Sequence, residues 1–276
     1  MALVNKQTGS VGDLAENNVE SQSKLKAASP KETGDPTSKA ATSVSAPGPQ
    51  IKPDPNFPLV LDHNHSMAAE SFSILRSRIL GVNKKLGTRS ILITSAEAGD
   101  GKTLIATNIA LSLGQLGSKR ILLVDGDLRY ATVTRILNLK HLPGLGEFLQ
   151  GRRPFSAVVH PTGFPALSVA PAGLISKKIL PEILQGPRWP EFLQQAKEEF
   201  DLIIVDSLPV SAPVADLELL TAPCDAFLFV VYMRRTQRQA LERANKRLDQ
   251  KKFLGVIINN ADEIYDYDYS YLNPKG

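Results

Sequence analysis

The stretch Ser90-Ile91-Leu92-Ile93-Thr94-Ser95-Ala96-Glu97-Ala98-Gly99-Asp100-Gly101-Lys102-Thr103 decides how the rest of the chain is read. Its first five residues are a short, mostly apolar run, as in a buried strand. Residues 103–116 have the length and composition of a helix and end beside Gly117. Between the two, Gly99 and Gly101 free the backbone to turn its N–H groups inward, and the helix start adds partial positive charge. Strand, glycine-rich loop and helix in that order make a phosphate cradle. Lys102 would reach the outer phosphates of a nucleotide, and the Thr103 hydroxyl would hold Mg²⁺. The usual pattern opens with glycine five residues before the Gly-Lys pair, where this chain has Ala96.

A magnesium–nucleotide site needs hard oxygen ligands. Two further segments run apolar residues into carboxylates: Ile121-Leu122-Leu123-Val124-Asp125-Gly126-Asp127-Leu128-Arg129 and Phe200-Asp201-Leu202-Ile203-Ile204-Val205-Asp206. Ligands of parallel sheets bind at the carboxyl ends of the strands, which is where Asp125 and Asp206 fall. Asp127 has a second reading as a helix N-cap.

Farther out, residues 120–124, 167–169, 202–205, 227–231 and 256–258 read as strands. Residues 66–82, 189–199 and 235–252 read as helices. Their alternation predicts an α/β fold with a mostly parallel sheet flanked by helices. The 276 residues contain one cysteine, Cys224, which excludes an intramolecular disulfide scaffold, and four histidines, too few and too scattered for a zinc enzyme. Lys+Arg number 32 against Asp+Glu 28, a net charge of +4 that does not point to nucleic acid. The longest apolar run, residues 226–233, is far short of the roughly 20 residues that span a bilayer. The start lacks an apolar secretory segment, so a cytoplasmic protein is expected. Residues 1–56 are rich in Ser, Thr, Ala, Pro and Lys and contain no aromatic residue, which predicts a disordered arm. The domain then covers residues 57–261, and residues 262–276 form a flexible, tyrosine-rich tail. Arg234, Arg235, Arg238, Arg243, Lys246, Arg247, Lys251 and Lys252 make the last helix and its flanks basic. They form either a solvated face or a contact for an acidic segment, anionic lipid or phosphorylated tail.

Taken together, these motifs resemble the bacterial tyrosine kinases (BY-kinases) of capsule and exopolysaccharide synthesis, P-loop NTPase-fold proteins related to the MinD/ParA ATPases. The resemblance covers about residues 57–272. SAEAGDGKT (95–103) looks like the family's Walker A, VDGDLR (124–129) its Walker A′ and FDLIIVD (200–206) its Walker B. GLGEFL (144–149) and PAG (171–173) are similar to family landmarks, and GVIIN (255–259) resembles a strand carrying an adenine-side asparagine. Four of the six tyrosines, Tyr265, Tyr267, Tyr269 and Tyr271, fall within seven residues, like the family's autophosphorylated cluster. Of the family's subunit-contact pattern Glu-x-x-Arg-x-x-Arg, Glu70 and Arg76 match, but Ser73 stands in the middle. Ser207-Leu208-Pro209 replaces Thr-Pro-Pro after Walker B, and Ala98 replaces a common proline in Walker A.

The resemblance implies transfer of the ATP γ-phosphoryl group to tyrosine. It implies nucleotide binding by Gly99, Asp100, Gly101, Lys102, Thr103, Leu104 and Asn259, with Asn260 the alternative base contact. Mg²⁺ would sit on Thr103, Asp127 and Asp206, and catalysis would use Lys102, Asp125, Asp127 and Asp206. The separate duties of Asp125 and Asp127 stay open, as does transfer within one chain or between copies. Implied partners are a separate membrane-bound activator or polysaccharide co-polymerase, which would hold the protein at the inner face of the membrane, and further copies of the chain in a homo-oligomer. Two other readings use the same motifs: a MinD/ParA-like ATPase, and a nucleotide-binding scaffold of an export machine without transfer activity. In the first group a second lysine stands where this chain has Glu97.

Overall fold

A computed structural model of the chain describes residues 2–5, 53–55, 57, 59 and 67–261, all within one compact unit. The elements run β1 (Ala2–Asn5), α1 (Met67–Leu86), β2 (Ser90–Ser95), α2 (Lys102–Gln115), β3 (Ile121–Asp125), α3 (Thr132–Ile136), α4 (Leu145–Leu149), β4 (His160–Pro161), β5 (Leu167–Ala170), α5 (Leu180–Gln185), α6 (Arg188–Glu199), β6 (Leu202–Asp206), α7 (Asp216–Thr221), β7 (Ala226–Tyr232), α8 (Arg238–Arg247) and β8 (Phe253–Asn259). The sheet order is β1-β8-β7-β2-β6-β3-β5-β4. Its six inner strands are parallel, and the two edge strands, β1 and β4, are antiparallel to their neighbours.

Every residue of β2, β3 and β6 is buried, because helices cover both faces of the sheet. Successive side chains point to opposite sides. Leu92, Leu122, Val124, Ile203 and Val205 pack with α4, α6 and α7. Ile91, Ile93, Ile121, Leu123 and Ile204 pack with α1, α2 and α3 on the other face. On the first face Trp189 is fully buried, lies stacked on Phe192 at 5.8 Å between ring centroids, and donates its indole N–H to the Leu220 carbonyl (3.0 Å).

The predicted strands and long helices are present with shifted ends. The first helix runs one turn past residue 82 to Leu86, where Gly87 adopts the left-handed backbone (φ 66°) that stops it. The expected helix 235–252 shortens to α8. Two parts of the expected disordered arm are pieces of the domain instead. Residues 2–5 pair antiparallel with β8, satisfying backbone groups that would otherwise form an open edge. Near the arm's other end, the Asp54 N–H donates to the Ile136 carbonyl (2.8 Å), and Phe57 and Leu59 pack on the core. The tyrosine-rich tail, residues 262–276, lies outside the described residues.

The landmarks GLGEFL and PAG prove to be two halves of one clasp. The N–H groups of Leu145 and Gly146 donate to the carbonyls of Pro171 and Ala172 (2.7 and 2.8 Å). The Glu147 carboxylate, near the start of α4, accepts from Gly144 N (2.9 Å) and Leu174 N (3.0 Å). A Cβ at Gly144 would overlap the Pro171 carbonyl, so only glycine fits there.

Trp189→Ala should lower unfolding free energy by about 3–5 kcal/mol, the usual cost of emptying a large aromatic site. Ile74→Ala, at a position 47 % exposed on α1, should change it by less than about 0.5 kcal/mol. Urea denaturation of the two variants checks this contrast.

Candidate active site

The phosphate loop leaves the central strand β2 and ends where α2 begins. Gly99 and Gly101 hold left-handed backbone (φ 85° and 96°), as a loop of inward-turned N–H groups requires. Ala96, at the place of the missing glycine, is buried, and its carbonyl accepts from Ser211 N (3.0 Å). The segment after β6 is thereby zipped to the loop, helped by Val210 N donating to the Ser95 carbonyl (2.8 Å) and Thr94 Oγ1 to the Leu208 carbonyl (2.7 Å).

β3 and β6 pair with Asp125 opposite Asp206, so the two carboxylates stand side by side at the strand ends. Thr103 Oγ1 donates to Asp206 Oδ2 (2.8 Å), and Lys102 Nζ lies 3.8 Å from Asp127 Oδ2 and 3.3 Å from Thr103 Oγ1. The structure therefore brings together Lys102, Thr103, Asp125, Asp127 and Asp206, all five central residues expected from sequence. Three carboxylates face one ammonium, and their protonation reflects it. Burial, with Asp206 opposite, pushes Asp125 up to about 7 against two hydrogen bonds from Thr134. Burial also raises Asp206 to about 6 against the pull of Lys102 and Thr103, and raises Asp127 despite Lys102.

One oxygen of Asp125 and one of Asp206 are buried with no hydrogen-bond partner. Orphaned carboxylate oxygens next to a phosphate loop suit a hard cation. No cluster of three His, Cys, Asp or Glu side chains able to hold a metal is found among the described residues. Mg²⁺ at a nucleotide needs only one or two protein oxygens, with phosphates and water completing its shell, so Thr103, Asp206 and Asp127 fit it.

Two expected nucleotide contacts are placed differently. The Asp100 side chain is fully buried, accepting from Glu97 N (2.9 Å) and pairing with Arg235 (3.0 Å). It braces the loop from within. Asn259 Nδ2 donates to the Asp100 carbonyl (2.9 Å), so the last strand is pinned to the loop. Of the expected subunit-contact residues, Glu70 is exposed, whereas Arg76 is bound within the chain to Ser73 Oγ and Ser112 Oγ (both 3.0 Å).

The sequence did not show which residues hold the site in place. Thr134 donates to Asp125 Oδ2 through both its N–H (2.7 Å) and its hydroxyl (2.6 Å), and its Oγ1 accepts from Ala172 N (2.8 Å). Arg129 makes a two-pronged pair with buried Asp216 (2.5 and 3.1 Å), tying the segment that carries Asp127 to the start of α7. Arg247 binds Glu218 and the carbonyls of Val210, Ala212 and Val214. Arg243 pairs with Glu97 (3.3 Å). The basic helix thus spends much of its charge inside the molecule, on the phosphate loop and on the segment following β6.

Thr134→Val should raise the Asp125 titration above its value of about 7, because two hydrogen bonds to the charged form become one. Carboxyl ¹³C NMR of the two proteins reads the midpoint directly. An unchanged midpoint would show that the Thr134 hydroxyl does not bind Asp125.

Comparison with known proteins follows the same lines. A family model described as an AAA domain matches residues 88–252. The chain is 32% identical over 200 residues to the tyrosine-protein kinase CpsD of Streptococcus agalactiae, covering 70% of this chain and 84% of that protein. Among solved structures, the BceF tyrosine kinase domain superposes with a TM-score of 0.63 at 27% identity, over 71% of this chain and 78% of that one. The kinase domain of the Escherichia coli tyrosine kinase ETK superposes with a TM-score of 0.66 over 75% and 82%; at 24% identity that likeness concerns the fold. A strand-end carboxylate pair beside a phosphate loop, found on this fold and with these relatives, places the chain in the bacterial tyrosine-protein kinase family, as a P-loop enzyme that phosphorylates tyrosine.

Proposed function

We propose that the chain is an ATP-dependent autokinase that phosphorylates its own C-terminal tyrosine cluster and serves capsule or exopolysaccharide synthesis or export. One observation carries this reading. β8 ends with Asn259 bonded to the Asp100 carbonyl, so the segment holding Tyr265, Tyr267, Tyr269 and Tyr271 starts at the phosphate loop. Tyr271 is eleven residues beyond Asn260, an extended reach of at most about 40 Å. The cluster is therefore within reach of its own site or a neighbour's.

Phosphoryl transfer depends on positioning and charge neutralisation more than on covalent help. Loop N–H groups and Lys102 hold and neutralise the phosphates. Thr103, Asp206 and Asp127 would hold Mg²⁺, which when bound offsets the charge of the transferring group. Asp125 keeps one oxygen free beside Asp206, and its raised pKa suits an acceptor for the tyrosine hydroxyl proton near neutral pH. Thr134 holds the other oxygen and so fixes the direction of the free one. Glu97, at the position of the second lysine of MinD/ParA-type loops, turns to Arg243 instead, which favours the kinase reading. No helix among the described residues is long and apolar enough to cross a membrane. A separate membrane-bound activator, which would hold this chain at the inner face of the membrane, completes the proposal, with further copies of the chain as oligomer partners through a face that includes Glu70.

Intact-mass and phosphotyrosine mapping after incubation with Mg–ATP tests it. Up to four phosphates should appear on the tail, and Lys102→Met should cut incorporation by about 100-fold or more, as expected for loss of a charge-stabilising donor. Replacing the four tail tyrosines with Phe should remove the signal while nucleotide binding persists. Nucleotide turnover without phosphotyrosine, even with an activator segment, would overturn the proposal.

A further inference from the structure

A second basic concavity lies away from the phosphate loop. It is a pocket of about 360 Å³ lined by Phe148, Gly151, Arg152, Arg153, Phe155 and Arg188. Gly151 takes left-handed backbone (φ 70°) and brings the turn after α4 against the Arg188 guanidinium. Arg188 lies 5.2 Å over the Phe148 ring and pairs with Glu191 (3.1 Å), both partners being about 40 % exposed. Exposed pairs of that kind are weak and readily exchanged. Arg152 donates to the Leu174 carbonyl (2.5 Å) and lies 3.9 Å from Glu147, whose carboxylate is already committed to two backbone N–H groups. Arg153 is exposed and makes no side-chain hydrogen bond or ion pair among the described residues. Three arginines border the pocket, Arg188 lying over the Phe148 ring and Arg153 unpaired among the described residues, and they suit an aryl phosphate: the forks match the phosphate oxygens, and a guanidinium face accepts the ring.

The pocket is joined to the catalytic carboxylates by a short path. Arg152 holds Leu174, two residues from Ala172, whose N–H binds the Thr134 hydroxyl that holds Asp125. We infer that this arginine pocket is a docking site for a phosphotyrosine of the chain's own tail. The inference rests on the reading that the tail is phosphorylated. Charge complementarity chooses the occupant. Residues 262–276 carry Asp262, Glu263, Asp266 and Asp268 against Lys275, and each phosphate adds about −1.5 to −2 charge. The negative charge of a phosphorylated tail complements the arginines of the pocket. From Ala261 to Tyr271 the tail extends about 35 Å. The pocket lines the end of α4, whose start is hydrogen-bonded to the residues just after β5, and β5 lies five strand spacings, roughly 24 Å, from β8, within that reach.

The test uses the full-length, dephosphorylated chain without nucleotide and a fluorescent synthetic peptide of residues 262–276, with all four tyrosines phosphorylated or none. Anisotropy should show the phosphopeptide binding at least about 10-fold tighter than the plain peptide. Arg153→Ala and Arg188→Ala should each weaken it by about 10-fold or more, with unfolding midpoints unchanged for the exposed Arg153 variant. Phenyl phosphate should compete better than inorganic phosphate. Equal binding of both peptides, or phosphopeptide affinity unchanged in the variants, would overturn the inference. Because the peptide is synthetic, the result does not depend on the chain phosphorylating itself. Absent tail phosphorylation would count against the autokinase alone, and absent peptide binding against the pocket alone.

Discussion

Two carboxylates cannot share a dry corner of a protein unless something holds them there, and the registered pairing of β3 with β6 forces Asp125 and Asp206 into that position. The pairing is enforced by strands buried on both faces, since a slip of one residue would turn each apolar side chain to the wrong face. Lys102 and Thr103 then meet the pair from the start of α2, and Thr134 meets it from α3. Two oxygens remain without partners. Such an arrangement is costly in an empty protein and becomes favourable when a cation and a triphosphate complete it. The stored electrostatic demand is thus the means by which the site binds its nucleotide.

The surrounding structure acts as scaffolding for that corner. The clasp between α4 and residues 171–173 fixes Ala172, whose N–H orients Thr134 and through it Asp125. Arg129 and Asp216 hold the Asp127 segment, while Arg235 and Asn259 brace the phosphate loop through Asp100. Arg247 gathers the carbonyls of residues 210–214, the segment hydrogen-bonded to Ser95 and Ala96. Loop, Walker A′ segment and post-β6 segment are therefore tied by charged side chains to α7, α8 and β8, so a change at one of these outer elements has a direct route to the phosphates.

Much of this was legible in the sequence because the decisive residues announce themselves locally. Lys102 and Thr103 follow a strand and a glycine loop, Asp125 and Asp206 terminate apolar runs, and Asp127 stands two residues past the first of them. The six inner strands are apolar for the same reason: both of their faces are covered. The short helices α3, α4, α5 and α7 have five or six residues, too few for a helical period to show. β1 is four residues at an edge, where one partner strand rather than an apolar pattern defines it. The bracing roles of Thr134, Asp216, Arg235 and Arg247 were not visible because their partners are distant in the chain or, for Thr134, nine residues away across a turn. The cations of α8 read as a solvated face or a contact for an acidic partner. Folding instead supplies acidic and carbonyl partners from other parts of the same chain.

If the carboxylate corner and the phosphate loop form one nucleotide site, Asp125 must face the transferable phosphate. A crystal structure with Mg²⁺ and a non-hydrolysable ATP analogue tests this. The outer phosphates should lie within the loop of residues 96–103, the metal should be bonded to Thr103 with Asp206 and Asp127 nearby, and the free oxygen of Asp125 should be directed at the γ-phosphate. Nucleotide bound elsewhere, or phosphates in the loop with Asp125 turned away from them, would contradict it.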